Sequence, residues 1–261
     1  MTNDDGVDSP ALVPFAQAIA RTRGQVRVVV PDRERSWVGK AITRFEPVAV
    51  RREERDGVPL WACTGYPADA VQLAVDGLFD EPPDLVVSGI NLGYNHGVGF
   101  VMSSGTVGAA IEGWVSGIPA VAVSTGTMGD WTAWKARAHA PETRPRWERL
   151  AALAAALVDR LVDADLPGVA DVVNINLPFD ADDTTPRRIT RPARTGYDRL
   201  FRSVGDGVFV HDFGGGLREF AALEGTDVEA AQRGWISITP LRMPQSVELP
   251  AEMRRRIETW S

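Results

Sequence analysis

Residues 84–100 read DLVVSGINLGYNHGVGF, a short apolar run followed by the most glycine-rich loop of the chain. An apolar run bounded by loop residues is typical of a buried strand in a parallel sheet. The sequence SSGT at residues 103–106 predicts the start of a helix that Gly117 ends, and residues 120–124 predict the next strand. A strand, a helix and a second strand in this order indicate an α/β fold with parallel strands.

The same alternation extends in both directions from this segment. Strand and helix patterns alternate from residue 11 to residue 176, which predicts a doubly wound, Rossmann-like, mostly parallel sheet flanked by helices. Later in the chain the patterns change to short strands, which predict a C-terminal β-rich excursion. We therefore expect a core over residues 1–180, and an arm with a closing strand and helix over residues 181–261.

Size and composition restrict the possible functions. The chain has 261 residues, 44% hydrophobic and 24% charged, enough for one large domain or one domain with an appendage. Because we find neither a membrane-spanning apolar run nor a signal peptide, we expect a cytoplasmic protein with no membrane partner. The single cysteine, Cys63, excludes an intramolecular disulfide and a cysteine-based zinc cluster. A net charge of −7 argues against sequence-independent nucleic-acid binding but allows a small phosphorylated ligand.

The motif NDDG at residues 3–6 places two adjacent carboxylates, Asp4 and Asp5, beside a glycine. Such oxygen ligands suit Mg²⁺, Mn²⁺ or Ca²⁺, although the same composition is typical of an ordinary turn. Only Met1 and Thr2 precede the motif, whereas a loop of this kind normally follows a hydrophobic strand. We therefore expect a poorly anchored terminus whose protonated amine competes with a cation, with a late-assigned start codon as the preferred explanation.

Four polar loops are predicted to lie at the same edge of the sheet, each at the carboxyl end of a strand. They contain Asp4, Ser36, Asn91 and Ser104. Ligands of doubly wound sheets bind beyond the carboxyl ends of the strands, so one site could gather all four loops.

The turn at Ser104, Gly105 and Thr106 is also a candidate phosphate cradle, because free amides at a helix N-terminus favour an anion. Plain N-capping by Ser104 is the alternative. The loop at residues 89–99 matches neither a P-loop nor a dinucleotide fingerprint, but Asn95 offers an amide donor there, unless the loop is only a surface turn. His96 in this loop is a possible general acid.

Five motifs in chain order resemble those of the SurE family, the stationary-phase survival proteins that act as nucleotide phosphatases. They are NDDG at 3–6, PDRxRS at 31–36, GxPxD at 65–69, SGINxGxNxG at 88–97 and SGTV at 104–107. The sequences GTD at 225–227 and SITPL at 237–241 resemble the closing motif of the family. The resemblance therefore extends over nearly the whole chain.

This resemblance implies one divalent metal ion per subunit, Mn²⁺ or Mg²⁺, bound by Asp4, Asp5, Ser36 and Asn91. It implies phosphate contacts from Asn95 and from the turn at residues 104–106. The implied activity is hydrolysis of nucleoside 5′- or 3′-monophosphates and, in some members, of short polyphosphate. A swapped C-terminal arm that joins subunits into homodimers or homotetramers is a further expectation from the family.

The implied chemistry is physically consistent with these residues. Phosphoryl transfer depends mainly on positioning and electrostatic stabilisation. We expect Asp4 or Asp5 to orient or deprotonate the attacking water, and Asn95 to act with the turn amides on the phosphoryl oxygens. Two alternatives stay open: a catalytically impaired protein that binds nucleotide or metal, and an unrelated α/β enzyme. The base, the choice between 5′ and 3′ esters, the metal and the oligomeric state are open as well.

Overall fold

The computed structural model describes residues 1–214, 216–244 and 246–259. The strands are β1 (Val29–Pro31), β2 (Val50–Arg55), β3 (Val58–Cys63), β4 (Val86–Leu92), β5 (Ala120–Gly126), β6 (Val172–Pro178), β7 (Arg187–Ile189), β8 (Thr195–Tyr197), β9 (Phe201–Gly205), β10 (Val208–His211), β11 (Leu217–Glu219) and β12 (Ile236–Leu241). The helices are α1 (Leu12–Arg23), α2 (Pro67–Asp76), α3 (Gly97–Ser103), α4 (Gly105–Val115), α5 (Trp131–Ala138), α6 (Arg144–Asp163), α7 (Leu166–Val169), α8 (Asp227–Gln232) and α9 (Ala251–Glu258), with a 3₁₀ turn at Pro141–Thr143.

A five-stranded sheet in the order β4-β5-β6-β12-β7 forms the centre of the protein. Its strands β4, β5 and β6 are parallel, and β12 is antiparallel to β6 and parallel to β7. A second sheet has the order β1-β3-β2, with β1 parallel to β3. Since β4, β5 and β6 run the same way, their carboxyl ends lie at one edge, where a doubly wound fold binds its ligand.

Helices cover both faces of the central sheet. Successive side chains of β5 point to opposite faces, and each set packs against different helices. Val121 and Val123 pack in one cluster with Phe15 of α1 and Trp147 of α6. Ala122 packs in a second cluster with residues of α2 and α4. This arrangement confirms the predicted fold class, a mostly parallel α/β sheet flanked by helices.

Two element boundaries near the glycine-rich segment differ from the prediction. The strand predicted at residues 84–88 spans Val86–Leu92, so Asn91 lies at a strand end, and the predicted loop at 89–99 is shorter. A Cβ atom at Gly89 would stand 2.1 Å from the Val123 carbonyl oxygen, so only glycine permits this approach of β4 to β5. The loop also contains the start of α3 at Gly97, which the residue pattern did not predict.

The prediction of a poorly anchored N-terminus is wrong. The Thr2 amide donates to the Val87 carbonyl of β4 at 3.0 Å, and the Met1 carbonyl accepts from the Val29 amide of β1 at 3.0 Å. These two residues therefore join the two sheets and hold the NDDG motif between them. Burial lowers the pKa of the Met1 amine to about 5, and the amine donates to the Arg27 carbonyl, so it is largely uncharged at pH 7.

The C-terminal part contributes to the central sheet and also extends away from it. Strands β12 and β7 complete the sheet, whereas β9 and β10 form a separate hairpin and β8 pairs with β11. The predicted excursion is present, and the boundary at residue 180 stays a prediction. Positions 215, 245, 260 and 261 of the predicted arm lie outside the described residues.

Candidate active site

The NDDG motif forms a tight turn at the carboxyl edge of the sheet. The Asn3 side chain accepts from the Gly6 amide and donates to the Gly6 carbonyl, both at 3.1 Å. Gly6 has a φ of +82°, and a Cβ atom there would stand 2.6 Å from the Arg33 backbone. A glycine is therefore required, and the turn presents Asp4 and Asp5 to the surrounding loops.

Hydrogen bonds bring the predicted loops together around these two carboxylates. The loop after β1 contacts the turn through the Arg35 amide, which donates to the Asp4 carbonyl at 2.7 Å. The end of β4 contacts it through the Leu92 amide, which donates to Asp5 Oδ2 at 3.0 Å. The start of α4 contacts it through the Thr106 hydroxyl, which donates to Asp4 Oδ1 at 2.5 Å. The structure therefore brings the four predicted loops together, and their role as one ligand site stays a prediction.

The predicted phosphate cradle at the start of α4 lies directly against Asp4. The Ser104 hydroxyl accepts from the Val107 amide at 3.1 Å, as expected for an N-cap. A Cβ atom at Gly105 would stand 2.8 Å from Asp4 Cβ, so a glycine permits the contact. The Thr106 hydroxyl is engaged by Asp4, and the Ser104 amide donates to the Phe100 carbonyl at 2.9 Å. The Gly105 amide and the Ser104 hydroxyl proton are then the groups that can face an anion here. The helix dipole also favours the ionised form of Asp4.

Asn95 is held by three polar side chains of the neighbouring strands. Its amide nitrogen Nδ2 donates to Ser124 Oγ at 2.8 Å, and its backbone amide donates to Asn176 Oδ1 at 2.8 Å. Its carbonyl accepts from Asn174 Nδ2 at 2.7 Å and from Asn176 Nδ2 at 3.2 Å. Asn95 is buried, and this network gives its side chain a fixed position beside the end of β4.

The predicted neutral metal ligands lie on two neighbouring segments: Ser36 in the loop after β1, and Asn91 near the end of β4. The Ser36 hydroxyl donates to Glu34 Oε1 at 2.7 Å, and Lys135 Nζ of α5 donates to both Glu34 oxygens at 3.1 and 3.2 Å. Asn91 Nδ2 donates to the Gly93 carbonyl at 2.6 Å, which leaves its oxygen to face a cation. Burial acts to raise the pKa of Glu34, but the Ser36 and Lys135 contacts outweigh it, so this pKa lies below its ordinary value.

The electrostatics of the aspartate pair fit a divalent cation. Burial raises the pKa of Asp4 to about 6, against the hydrogen bonds from Thr106. Burial, and then the charge of Asp4, raise the pKa of Asp5 well above its ordinary value. Two adjacent carboxylates that resist ionisation together would be stabilised by a shared cation. In the described part of the chain no three His, Cys, Asp or Glu side chains cluster around a metal position, so Ser36 and Asn91 would supply neutral oxygens.

His96 lies beside this site in an apolar environment. Its ring stacks on Tyr94 at 5.2 Å and lies edge-on to Phe100 at 5.9 Å between centroids. Burial lowers the pKa of His96, while the nearby Asp227 acts to raise it. The lowered pKa favours the neutral imidazole at pH 7, which is a weak general acid, so that role stays a hypothesis. The Asp227 carboxylate accepts from the Gly97 amide at 2.9 Å, so the GTD motif holds the loop after Asn95.

Several residues of the site were not predicted from the sequence. They are Glu34, Lys135, Ser124, Asn174 and Asn176. Strand β6 carried a usable signal, because its sequence VVNINLP places two asparagines in an otherwise apolar strand that is buried up to its last residue. Buried amides need partners, so an asparagine pair at this position indicates a polar network. Lys135 carried no comparable signal, since it lies on a helix that the pattern did not predict.

The fold and the site define an α/β protein with an oxygen-rich carboxylate centre, and comparison with known proteins assigns its family. The family model described as survival protein SurE matches residues 1–199. The chain belongs to the SurE family, which confirms the resemblance found in its motifs.

Individual relatives match over nearly the whole chain. A protein of Methanocella arvoryzae named 5′-nucleotidase SurE is 35% identical, and the match covers 100% of this chain and 98% of that protein. A protein of the same name from Geobacter sulfurreducens is 39% identical over 93% of this chain and 87% of its own length. The crystal structure of the SurE protein from Aquifex aeolicus superposes with a TM-score of 0.74 at 29% identity, and the match covers 99% and 98% of the two chains.

Proposed function

We propose that the protein is a metal-dependent 5′-nucleotidase that hydrolyses nucleoside 5′-monophosphates to nucleoside and phosphate. The convergence of four polar loops on the Asp4–Asp5 pair within hydrogen-bond distance is the observation that carries this proposal. The names of the matched relatives support the same reaction. Hydrolysis of 3′-monophosphates and of short polyphosphate belongs to the proposal as secondary activities, because both present a terminal phosphoryl group to the same centre.

The residues of the site have distinct roles in this proposal. Asp4, Asp5, Ser36 and Asn91 hold one Mn²⁺ or Mg²⁺ ion through oxygen atoms, the ligand type that these cations prefer. When bound, the ion would neutralise phosphate charge and make water a better nucleophile at neutral pH. Asp4 or Asp5 orients the attacking water and accepts its proton.

Phosphate positioning falls to the opposite side of the site. The Asn95 side-chain amide has two N–H groups, and one of them donates to Ser124 Oγ. In this proposal the second N–H group donates to a phosphoryl oxygen. At the α4 N-terminus the Gly105 amide and the Ser104 hydroxyl supply further donors, because the Ser104 amide already donates to the Phe100 carbonyl at 2.9 Å and Thr106 is engaged by Asp4. Because the strand side chains around Asn95 are already hydrogen-bonded, little reorganisation is needed when charge develops on the phosphoryl group.

We also propose assembly of this protein into homodimers or homotetramers through the β9–β10 hairpin. All nine residues of the two strands are exposed, and Phe201, Val204, Val208 and Phe209 are each more than half exposed. An exposed group of apolar side chains on a projecting hairpin is suited to bind a second copy of the chain.

The cellular location and the absence of nucleic-acid partners are proposed from the sequence and its net charge. Among the described residues, none of the helices has both the length and the apolar character that a bilayer crossing requires. A cytoplasmic location is proposed from the sequence. The net charge of −7 supports the absence of sequence-independent nucleic-acid binding.

The decisive experiment measures phosphate release from a panel of nucleoside 5′- and 3′-monophosphates with Mn²⁺, Mg²⁺ or EDTA. We expect release with either cation and none above background with EDTA. In parallel, Asn91→Ala should weaken Mn²⁺ binding in a calorimetric titration, because the amide oxygen is one of the proposed ligands. Release that is insensitive to EDTA would contradict the metal-dependent mechanism. Cation binding without release would favour a nucleotide- or metal-binding protein.

A further inference from the structure

A cluster of five aromatic rings stands beside the proposed active site. Trp37 is its central member, with ring centroids 5.5 Å from Phe100, 5.3 Å from Tyr197, 4.9 Å from His211 and 5.4 Å from Phe213. Trp37 remains 37% exposed despite these contacts. We call this cluster the aromatic wall. Its other members therefore support a tryptophan ring that is still open to a ligand.

Two hydrogen bonds place the aromatic wall next to the phosphate-binding turn. The Tyr197 hydroxyl donates to Ser103 Oγ at 2.7 Å, and the Gly39 amide donates to the Ser103 carbonyl at 2.8 Å. Ser103 immediately precedes the N-cap of α4, and Trp37 immediately follows Ser36, a proposed metal ligand. The wall thus adjoins both the metal side and the phosphate side of the site.

The backbone of Trp37 is also unusual. Its φ is +62°, in the left-handed region that bulky side chains rarely adopt. Such conformations persist where the surrounding structure holds them, and they are concentrated at ligand sites. Glycine would adopt this conformation without strain, so the ring at this position has a contact to make that offsets the strain.

We propose that the aromatic wall binds the base of the nucleotide, with the base stacked on the exposed Trp37 ring. The proposal rests on the proposed function, because the phosphate group anchors the same ligand at the adjoining turn. Stacking on an aromatic ring requires only a π-face, and so it tolerates different bases.

A purely structural role for the wall makes a different prediction. His211 ends β10 and Phe213 follows it, so the wall also packs the base of the β9–β10 hairpin. If packing were its only role, removal of the Trp37 ring would change stability or assembly and would affect all phosphate esters equally. The two roles therefore separate when a substrate with a base is compared with one that has none.

The test compares AMP with ribose 5-phosphate, which has the same phosphate and sugar without the base. Phosphate release with Mn²⁺ is measured on the full chain for wild type, Trp37→Ala and Trp37→Gly. The glycine variant fits the left-handed backbone, so it removes the ring without retaining the strain. Trp114→Ala is the matched control, because Trp114 is 38% exposed but lies near the far end of α4.

We expect both Trp37 variants to raise KM for AMP about tenfold, within the range of one base–aromatic stack. KM for ribose 5-phosphate should change by less than about twofold, and Trp114→Ala should match wild type for both esters. Equal effects on both esters, or no effect on AMP, would overturn the proposal.

If wild type hydrolyses neither ester with any cation, the proposed function fails, and binding then decides the role of the wall. AMP and ribose 5-phosphate are titrated calorimetrically into wild type and Trp37→Gly in the presence of Mn²⁺. A loss of affinity confined to AMP supports stacking on the wall. An equal affinity of the two proteins for AMP contradicts it.

Discussion

The active-site edge and the β9–β10 hairpin depart from ordinary burial in opposite directions. At the site, Asp4, Asn95, Asn174 and Asn176 are polar and almost fully buried. On the hairpin, large apolar side chains such as Phe209 are exposed. Either departure is unfavourable for an isolated chain, since buried polar groups need partners and exposed apolar groups remain in water. The difference indicates what completes each region: a charged ligand at the site and a second protein surface at the hairpin.

The largest expected effect concerns the site side of this comparison. Asp5→Asn should lower kcat about a thousandfold or more, because it removes a charged group from the cation and the attacking water. Circular dichroism should remain unchanged, and Mn²⁺ should no longer raise Tm. Asp8→Asn is the control, since the Asp8 side chain is 85% exposed and its carboxylate lies 3.5 Å from the Arg55 guanidinium. Comparable activity in the two variants would remove Asp5 from the mechanism.

The second expected effect concerns the unfavourable burial of a carboxylate. The pKa of Asp4 is about 6 in the folded protein, against an ordinary value of 3.8. The folded state therefore binds this proton more tightly, so the metal-free protein loses stability as pH rises from about 4 to 6, by about 3 kcal/mol in total. Asp4→Asn should raise the free energy of unfolding of the metal-free protein at pH 7.5 by much of this amount, and should leave it unchanged at pH 4. Urea titrations of the metal-free proteins at both pH values measure it, and a less stable variant at pH 7.5 would contradict the argument.

The third expected effect concerns the network that holds Asn95. Asn176→Ala leaves the buried Asn95 amide without its acceptor, which should lower the free energy of unfolding by about 1–3 kcal/mol. Displacement of the Asn95 side chain should also lower kcat about tenfold. Ser237→Ala is the control, because Ser237 of β12 is paired with Asn176 of β6 and its hydroxyl has no hydrogen-bond partner among the described residues. If both variants behave as wild type, the network has no positioning role.

The smallest expected effect on the monomer concerns the hairpin side. Phe209→Asp changes a side chain that is 61% exposed, so the free energy of unfolding of a monomer should change by about 0.5 kcal/mol or less. The oligomer should nevertheless dissociate, as measured by size-exclusion chromatography with light scattering, because a charge would be buried at the interface. Phe45→Asp is the control, since Phe45 is 88% exposed and lies outside the hairpin. An unchanged molar mass for Phe209→Asp would place the interface elsewhere.

The residue pattern was informative wherever local chemistry decided the structure. The apolar runs of β4, β5 and β6 predicted a buried parallel sheet, and that sheet determines which loops share an edge. The NDDG turn was recognisable because its glycine and asparagine make local hydrogen bonds. The family followed from short motifs in order along the chain. Each of these inferences depends on neighbours in sequence or on a general rule of sheet topology.

Contacts between residues distant in sequence account for what the pattern did not predict. Met1 and Thr2 looked too short to anchor a motif, yet their backbone groups pair with two strands at once. Lys135 donates to Glu34, which is 101 residues away in the sequence, and Asn176 accepts from Asn95, which is 81 residues away. The sequence by itself determined the fold class, the family and the carboxylate turn, because these depend on local pattern. Only the tertiary structure decided the anchor, the network and the aromatic wall, because each arises from packing of separate segments.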